Sequence, residues 1–454
     1  MKSMLAAVIS PALLVLVPLV AAARESATGP LAEYVAANDD SYRWVKRAEG
    51  SVATCKYVEL TLTSQTWRGI PWKHQLFLVK PSLVAANSKH ALLMIAGGSW
   101  REELADPKTQ LKLPGEAQVL ALVAEQMKMP VAILLHVPQQ PMFDGKKEDE
   151  IIALTFREFL KTGDDDWPLL APMVKSAVRA MDATEEAMKQ EWGLDVATFT
   201  ITGASKRGWT TWLTGAVDDR AVAIAPMVID MLNMTEHTKL QKSSFEGKSS
   251  EQISEYEGLD QHIETPRGLA LRQIVDPWEY RQRLTQPKLV ILGTNDRYWP
   301  LDACNLYWDG LQGEKYLIYV PNNGHGLPDR ARIVAGLAAL NRRVTTGKPL
   351  PQLAWEYSGG ADVVSLKVTA DVMPSRVRIW TAKAPKRDFR DSRWDAVDAA
   401  AKGDAFVYEQ GVPAEGNAAL FGEALFHEGT DEEFSLSTNV RIVPAKAASA
   451  AGGR

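Results

Sequence analysis

Between residues 88 and 326, short apolar runs alternate with longer stretches in which apolar residues recur every three to four positions. The runs fall at 91–95, 131–135, 197–201, 221–224, 289–292 and 316–320. They are continuous rather than alternating, which predicts strands covered on both faces, and the stretches between them predict the covering helices. One such helix is predicted over 171–190, where Val174, Val178 and Met181 share a stripe. The fold class is therefore α/β: a mostly parallel sheet with helices on both faces. Residues 30–85 form an aromatic-rich lead-in, in which 57–62 and 75–79 predict an antiparallel hairpin that Pro81 ends.

Two departures from this rhythm divide the chain. Residues 231–285 interrupt the alternation with a polar stretch over 239–264 that carries Gly247 and Gly258, which predicts either a lid or a mobile loop. After residue 348 the pattern changes to period two, as in Leu366, Val368, Ala370 and Val372, with similar segments at 376–380, 405–408 and 440–443. Pro349 and Pro351 mark the change. The expected organisation is an α/β domain over 24–347 and a small β-sandwich over 348–445, followed by a disordered Ala/Gly-rich tail over 446–454.

At the other end, Lys2 precedes an apolar run through Val20 and the small residues Ala21-Ala22-Ala23. This reads as a signal peptide over 1–23 with a mature N-terminus at Arg24, hence a periplasmic or secreted protein with no stable membrane insertion after cleavage. Pro11 and Pro18 interrupt the run and weigh against a membrane anchor.

Composition narrows the function. The 454 residues are 46% hydrophobic and 24% charged, with 51 basic against 56 acidic residues and a net charge of −5. That balance excludes an ordinary nucleic-acid binder. Two cysteines, Cys55 and Cys304, permit one disulfide in an exported protein, or remain as two buried thiols. They are too far apart in the chain for a zinc pair. Asp164-Asp165-Asp166 lacks the spacing of a calcium loop, and Gly97-Gly98 lacks a P-loop lysine, so no metal or cofactor is implied.

The segment Gly203-Ala204-Ser205-Lys206-Arg207-Gly208 follows a predicted strand and opens a predicted helix. A sharp strand-to-helix turn of this kind lifts a serine above the sheet as a nucleophile. The usual second glycine would stand at 207; here it stands at 208. A nucleophilic serine needs a histidine base and an orienting acid, in the chain order Ser, acid, His. Of the histidines that follow Ser205, His237 and His262 lie in the polar insertion and His427 in the sandwich. His325 directly follows the last strand of the α/β region, between Gly324 and Gly326. Asp296, in the turn after the strand at 289–292, is the expected acid, with Asp230 as the fallback and Asp302 behind it. All three triad positions fall at strand carboxyl ends, where open α/β sheets bind ligands. The expected oxyanion hole uses the Lys206 N–H and the backbone of Gly98 and Ser99. Lys206, Arg207 and Trp100 are candidate substrate contacts. The two cations have an alternative structural role, pairing with Asp218, Asp219 or Asp230.

The stretch from Gly203 to Leu213 resembles the signature of the PhoPQ-activated pathogenicity-related proteins. So do Thr63-Ser64-Gln65-Thr66-Trp67, Val137-Pro138-Gln139-Gln140-Pro141, Val228 to Asn233, Asp276-Pro277 through Tyr280, Gly293 to Asp296, and Pro321-Asn322 with His325. The resemblance spans about residues 30–330. It implies an exported protein of bacterial type, with an α/β-hydrolase-like core, and leaves the substrate open. Arg297-Tyr298-Trp299 departs from the acidic-then-aromatic sequence common in that family and changes the charge beside Asp296. The Gly-x-Ser-(Lys or Arg)-x-Gly pattern is also similar to that of glucuronoyl esterases. Together these features predict a serine hydrolase on a small-molecule or peptide acyl substrate. Carboxylic ester cleavage is the first expectation and peptide cleavage the second. The competing class is a non-catalytic envelope binding protein.

Overall fold

The computed structural model describes residues 27–85, 88–106, 109 and 115–446. The expected signal peptide and the tail from 447 onward lie outside the described residues.

Nine strands form one sheet: β1 (Arg43–Val52), β2 (Cys55–Trp67), β3 (Ile70–Lys80), β4 (His90–Ile95), β5 (Val131–Leu134), β6 (Thr198–Ala204), β7 (Ala221–Met227), β8 (Lys288–Gly293) and β9 (Lys315–Val320). Their order is β1-β2-β3-β5-β4-β6-β7-β8-β9. The strands from β5 across to β9 are parallel, while β1, β2 and β3 join antiparallel at one side. The exchange of β4 and β5 followed by an unbroken parallel run is the strand order of an α/β-hydrolase core.

The predicted hairpin is present, with Tyr57 opposite Val79 and Leu60 opposite Leu76. It is longer than expected and carries an unforeseen outer neighbour. No residue of β1 is fully buried, so this edge strand carries no apolar pattern to read.

Alternation along the strands separates two cores. Leu76, Leu78, Ala132 and Leu134 face one side, while Phe77, Val79, Val131 and Ile133 face the other. The first side is covered by α1 (Pro30–Ala36), α3 (Asp149–Thr162), α4 (Leu170–Trp192) and α5 (Lys206–Val217); the second by α2 (Gly115–Met127) and α8 (Arg330–Thr346). The stripe predicted in α4 is buried, as are Ile152, Phe156 and Phe159 of α3.

The region over 231–285 is a folded insertion containing α6 (Met234–Ser244), α7 (Pro266–Val275) and short 3₁₀ turns. Its two ends are tied by one side chain. Asp276 accepts the Met234 N–H at 2.8 Å and the Trp278 N–H at 3.0 Å. Burial pushes the Asp276 carboxyl up to about 6, against the pull of those N–H groups.

The C-terminal strands are all antiparallel and form two sheets. One has the order β10 (Leu353–Gly359), β11 (Val363–Ala370), β15 (Ala405–Gly411), β14 (Ala400–Lys402). The other has β13 (Asp395–Asp398), β12 (Arg376–Ala384), β16 (Asn417–Phe426), β17 (Phe434–Ser437), with β18 (Arg441–Pro444) also on β16. Leu366 and Val368 of the first pack with Val377, Ile379 and Leu420 of the second, which makes a β-sandwich. The same cluster includes Ile318 of β9 and Leu337 of α8, so sandwich and α/β core share one interior.

Of the two alternatives open for the cysteines, the structure has the free thiols rather than a disulfide. Cys55 and Cys304 are both buried free thiols. The Cys55 sulfur lies 3.4 Å from the Ala121 carbonyl, on the α2 side of the sheet, and Cys304 sits in the core on the opposite side. Burial pushes the Cys55 thiol up to about 12. Among the described residues, no helix is long and apolar enough to cross a membrane.

Candidate active site

Ser205 stands at the turn between β6 and α5 with φ 59° and ψ −126°. This is a left-handed conformation that L-residues adopt only when their surroundings impose it. The Ser205 N–H donates to the Met227 carbonyl at 2.9 Å, which ties the turn to β7. Two glycines make the turn possible. A Cβ at Gly203 would lie 2.7 Å from the Arg207 carbonyl oxygen, and one at Gly208 would lie 2.8 Å from the Met227 carbonyl oxygen. The displaced second glycine of the motif thus serves the approach of α5 to β7, and position 207 is free to carry a side chain.

The acid and the base meet at the ends of β8 and β9. His325 Nδ1 lies 2.8 Å from Asp296 Oδ2 and 3.0 Å from Oδ1. Asp296 is buried, and its Oδ1 also accepts the Tyr298 N–H at 2.9 Å. With a proton on Nδ1 directed at the carboxylate, Nε2 presents its lone pair. Nε2 is buried and has no hydrogen-bond partner, so no hydrogen bond joins it to Ser205. The Tyr298 ring stacks on the imidazole, with centroids 4.0 Å apart. Asp230, the fallback acid, is directed elsewhere: its carboxylate accepts the Tyr307 hydroxyl at 2.7 Å. Burial pushes it up to about 8, against that hydrogen bond and with the Asp296 and Asp302 charges adding to the rise. Asp302 pairs with Arg387.

The two cations after the serine are paired, but not with the expected carboxylates. Arg207 forms a two-pronged bridge to Glu148, at 2.6 and 2.8 Å, and donates from Nε to the Val137 carbonyl at 2.6 Å. Lys206 donates to Asp149 at 2.6 Å. Asp218 holds Arg220, Asp219 holds Arg283, and Asp230 accepts from Tyr307. Burial opposes the Glu148 charge, yet the Arg207 bonds, helped by Gln140 and Lys206, keep its carboxyl below the usual range. Arg207 therefore serves as a structural ion pair beneath the turn rather than an exposed anion contact.

Gly97, Gly98 and Ser99 follow β4 at the same carboxyl end of the sheet as Ser205 after β6. A Cβ on Gly97 would lie 2.5 Å from the Arg207 guanidinium, and one on Gly98, at φ 118°, would lie 2.7 Å from His136 Nδ1. The Gly98 carbonyl accepts from Gln140 Nε2 at 2.8 Å. The loop is thereby pinned between Arg207, His136 and Gln140. Lys206 is the first residue of α5, so its N–H has no partner within the helix. Trp100 packs edge-on against His136 and donates to Glu102; it does not line the cavity described next.

Ser205 and Lys206 open into a cavity floored by α3 and the start of α5 and roofed by the insertion. The roof is fastened to the acid's loop, since Gln241 donates to the Tyr298 carbonyl at 2.8 Å and Ser250 to the Arg297 carbonyl at 2.6 Å. Arg297, the charge-changing departure beside Asp296, points outward to Asp391. Sequence reasoning did not single out Glu148, Asp149 or His136, and it named Tyr298 only as part of the departure beside Asp296. The adjacent cations at 206–207 were the available signal for an adjacent acidic pair. Among the described residues, no group of three or more His, Cys, Asp or Glu is placed to hold a metal ion.

The sheet order, the strained serine turn and the Asp–His pair at neighbouring strand ends define the α/β-hydrolase class of fold. The chain belongs to the PhoPQ-activated pathogenicity-related protein family, whose model it matches over residues 31–390. Autocrine proliferation repressor protein A of Dictyostelium discoideum is 31% identical over 458 aligned positions, covering 91% of this chain and 90% of that protein. Among solved structures, an acetyl xylan esterase from Paenibacillus sp. R4 aligns with 68% of this chain and 91% of its own, at 13% identity and a TM-score of 0.47. Acetyl xylan esterase 1 from Thermoanaerobacterium sp. JW/SL YS485 gives the same coverage and identity at a TM-score of 0.44.

Proposed function

We propose that the protein is a serine hydrolase that cleaves carboxylic esters through a Ser205–His325–Asp296 triad. The observations that carry this reading are the Asp296–His325 pair at the ends of β8 and β9, with its carboxylate buried and Nε2 unpartnered, and the strained turn that raises Ser205 at the end of β6. Ser205 Oγ attacks the acyl carbonyl while His325 Nε2 takes its proton, and Asp296 holds the imidazole in the required tautomer. The tetrahedral oxyanion is met by the Lys206 N–H and the Gly98–Ser99 backbone. Collapse expels the alcohol, which receives the proton from His325. Water, activated by the same imidazole, then releases the acid and frees Ser205. The missing Ser205–His325 bond is compatible with this scheme, because such bonds often tighten only with substrate in place. We also propose export, on the apolar run before Ala21-Ala22-Ala23, with Arg24 found at the mature N-terminus by sequencing.

The test is hydrolysis of p-nitrophenyl esters by the wild type and by Ser205→Ala. The expected loss approaches the roughly 10⁶-fold typical of a removed nucleophile, with an unchanged circular dichroism spectrum. Turnover at the wild-type rate in the variant contradicts the assignment.

A further inference from the structure

We infer that the cavity under the insertion receives the acyl part of the substrate and that this acyl group is an extended apolar chain. The inference rests on the hydrolase reading above and adds the substrate class. Ser205 lies on the cavity wall, so a carbonyl held at its hydroxyl has its neighbouring carbons directed along that wall. Much of the wall is apolar: Phe156 and Leu160 from α3, Trp209 from α5, Ile229 and Met231 after β7, and Leu271 from α7. An acetyl group leaves almost all of this surface uncovered.

The polar side chains around the cavity are largely committed to the protein itself. Asp149 accepts from Lys206 and from the Tyr256 hydroxyl at 2.9 Å. Gln241 bridges the Tyr298 carbonyl and the Ser250 N–H. Thr238 returns its hydroxyl to Met234, and Trp299 donates to the Val228 carbonyl. Two buried nitrogens, His237 Nε2 and Arg272 Nε, have no partner, and both lie on the insertion. Burial drives the His237 imidazole down to about 3, so it is neutral at pH 7. One polar substituent on the chain is accommodated there. A sugar is not, because its many hydroxyls would lose water and find few free groups in return.

The insertion explains why the apolar wall exists at all. Its sequence is polar over 239–264, yet Met234, Ile253, Leu259, Ile263 and Leu271 turn inward and close the cavity. Without a chain between them and α3, these residues would face open space. The ties from Gln241 and Ser250 to the loop of Asp296 make the same insertion a roof over the chain and a brace for the acid.

The experiment measures kcat/KM of the full chain for p-nitrophenyl esters from acetate to decanoate, and binding of the fluorescent fatty acid cis-parinaric acid to Ser205→Ala. The inference predicts a rise of roughly fourfold per added methylene until the wall is filled, from ~0.8 kcal/mol per buried CH₂. It also predicts that Leu271→Trp shifts the preferred acyl chain shorter, and that parinaric acid binds and is displaced by methyl decanoate. A profile that is flat or falls from acetate, without parinaric acid binding, overturns the inference while leaving the hydrolase reading intact. Preference for aminoacyl anilides over acyl esters also overturns it. Binding of parinaric acid with no ester cleaved at any length keeps the apolar-chain site and sinks the hydrolase reading instead.

Discussion

The Ser205 turn and the Asp296–His325 pair are held in place by different parts of the molecule. The turn is built within the α/β core: Gly203 and Gly208 let β6 and α5 close, Met227 anchors the Ser205 N–H, and Arg207 reaches Glu148 beneath it. The Asp–His pair sits on two loops that the C-terminal sandwich grips. Asn295 donates to the Ser392 carbonyl at 2.7 Å. Asn322 exchanges two hydrogen bonds with the Trp394 backbone, at 2.8 and 2.9 Å. Residues 386–394, between β12 and β13, also bind the insertion, where Arg390 pairs with Glu251. The sandwich is thus a structural partner of the site, and the difference teaches that serine and histidine can be perturbed independently.

The largest effect expected from breaking one side alone comes from Asp296→Asn. Loss of the correct tautomer costs ~10⁴ in kcat in comparable triads. Asp230→Asn should leave kcat within a fewfold of wild type, because its carboxylate faces Tyr307. Steady-state kinetics of the two variants decide between them; damage from the Asp230 change alone would move the acid to the earlier strand. Asn295→Ala tests the sandwich's grip. A misplacement of about 1 Å costs on the order of 10²-fold, so kcat should fall roughly 10- to 100-fold with KM little changed. An unaltered kcat would reduce the contact to simple docking.

Arg207→Ala acts on the other side, and through stability. Removing one partner of a buried pair costs ~3–5 kcal/mol. Here about 2–3 kcal/mol is expected, since 35% of the Glu148 side chain is exposed. Urea denaturation reads the change, and an unchanged midpoint would contradict a structural pair.

A further effect is pH-dependent. Asp230 keeps its proton in the folded protein up to about pH 8, while an unfolded aspartate releases it near pH 4. Folding therefore takes up a proton between those values, and this group's contribution to stability falls as pH rises from about 4 to 8, then levels off. Asp230→Asn removes that slope. The melting temperature of the variant should gain on the wild type between pH 5 and pH 8 and hold its lead above; a constant difference across this range would contradict a protonated Asp230.

Most of the α/β core was legible because its strands are buried on both faces and read as unbroken apolar runs. Ser205, Asp296 and His325 were legible because chain order and strand ends constrain them. What was not legible depended on contacts between distant segments. Edge strand β1 carries no apolar pattern. Glu148 and Asp149 lie far from Lys206 and Arg207 in the chain, and nothing in the acidic run Glu148-Asp149-Glu150 says which cations it meets. The cysteines stayed open between a disulfide and free thiols, because an even count cannot tell on which side of a sheet each thiol lies. The insertion looks polar because its outward residues dominate the sequence, while its inward residues are few and irregularly spaced.

The central claim is that Ser205 becomes acylated by the action of His325. A fluorophosphonate probe followed by peptide mapping of the intact protein tests it most directly. The account predicts a single adduct on Ser205, lost in both His325→Ala and Ser205→Ala. An adduct on another residue, or labelling of Ser205 that is indifferent to His325→Ala, would contradict it.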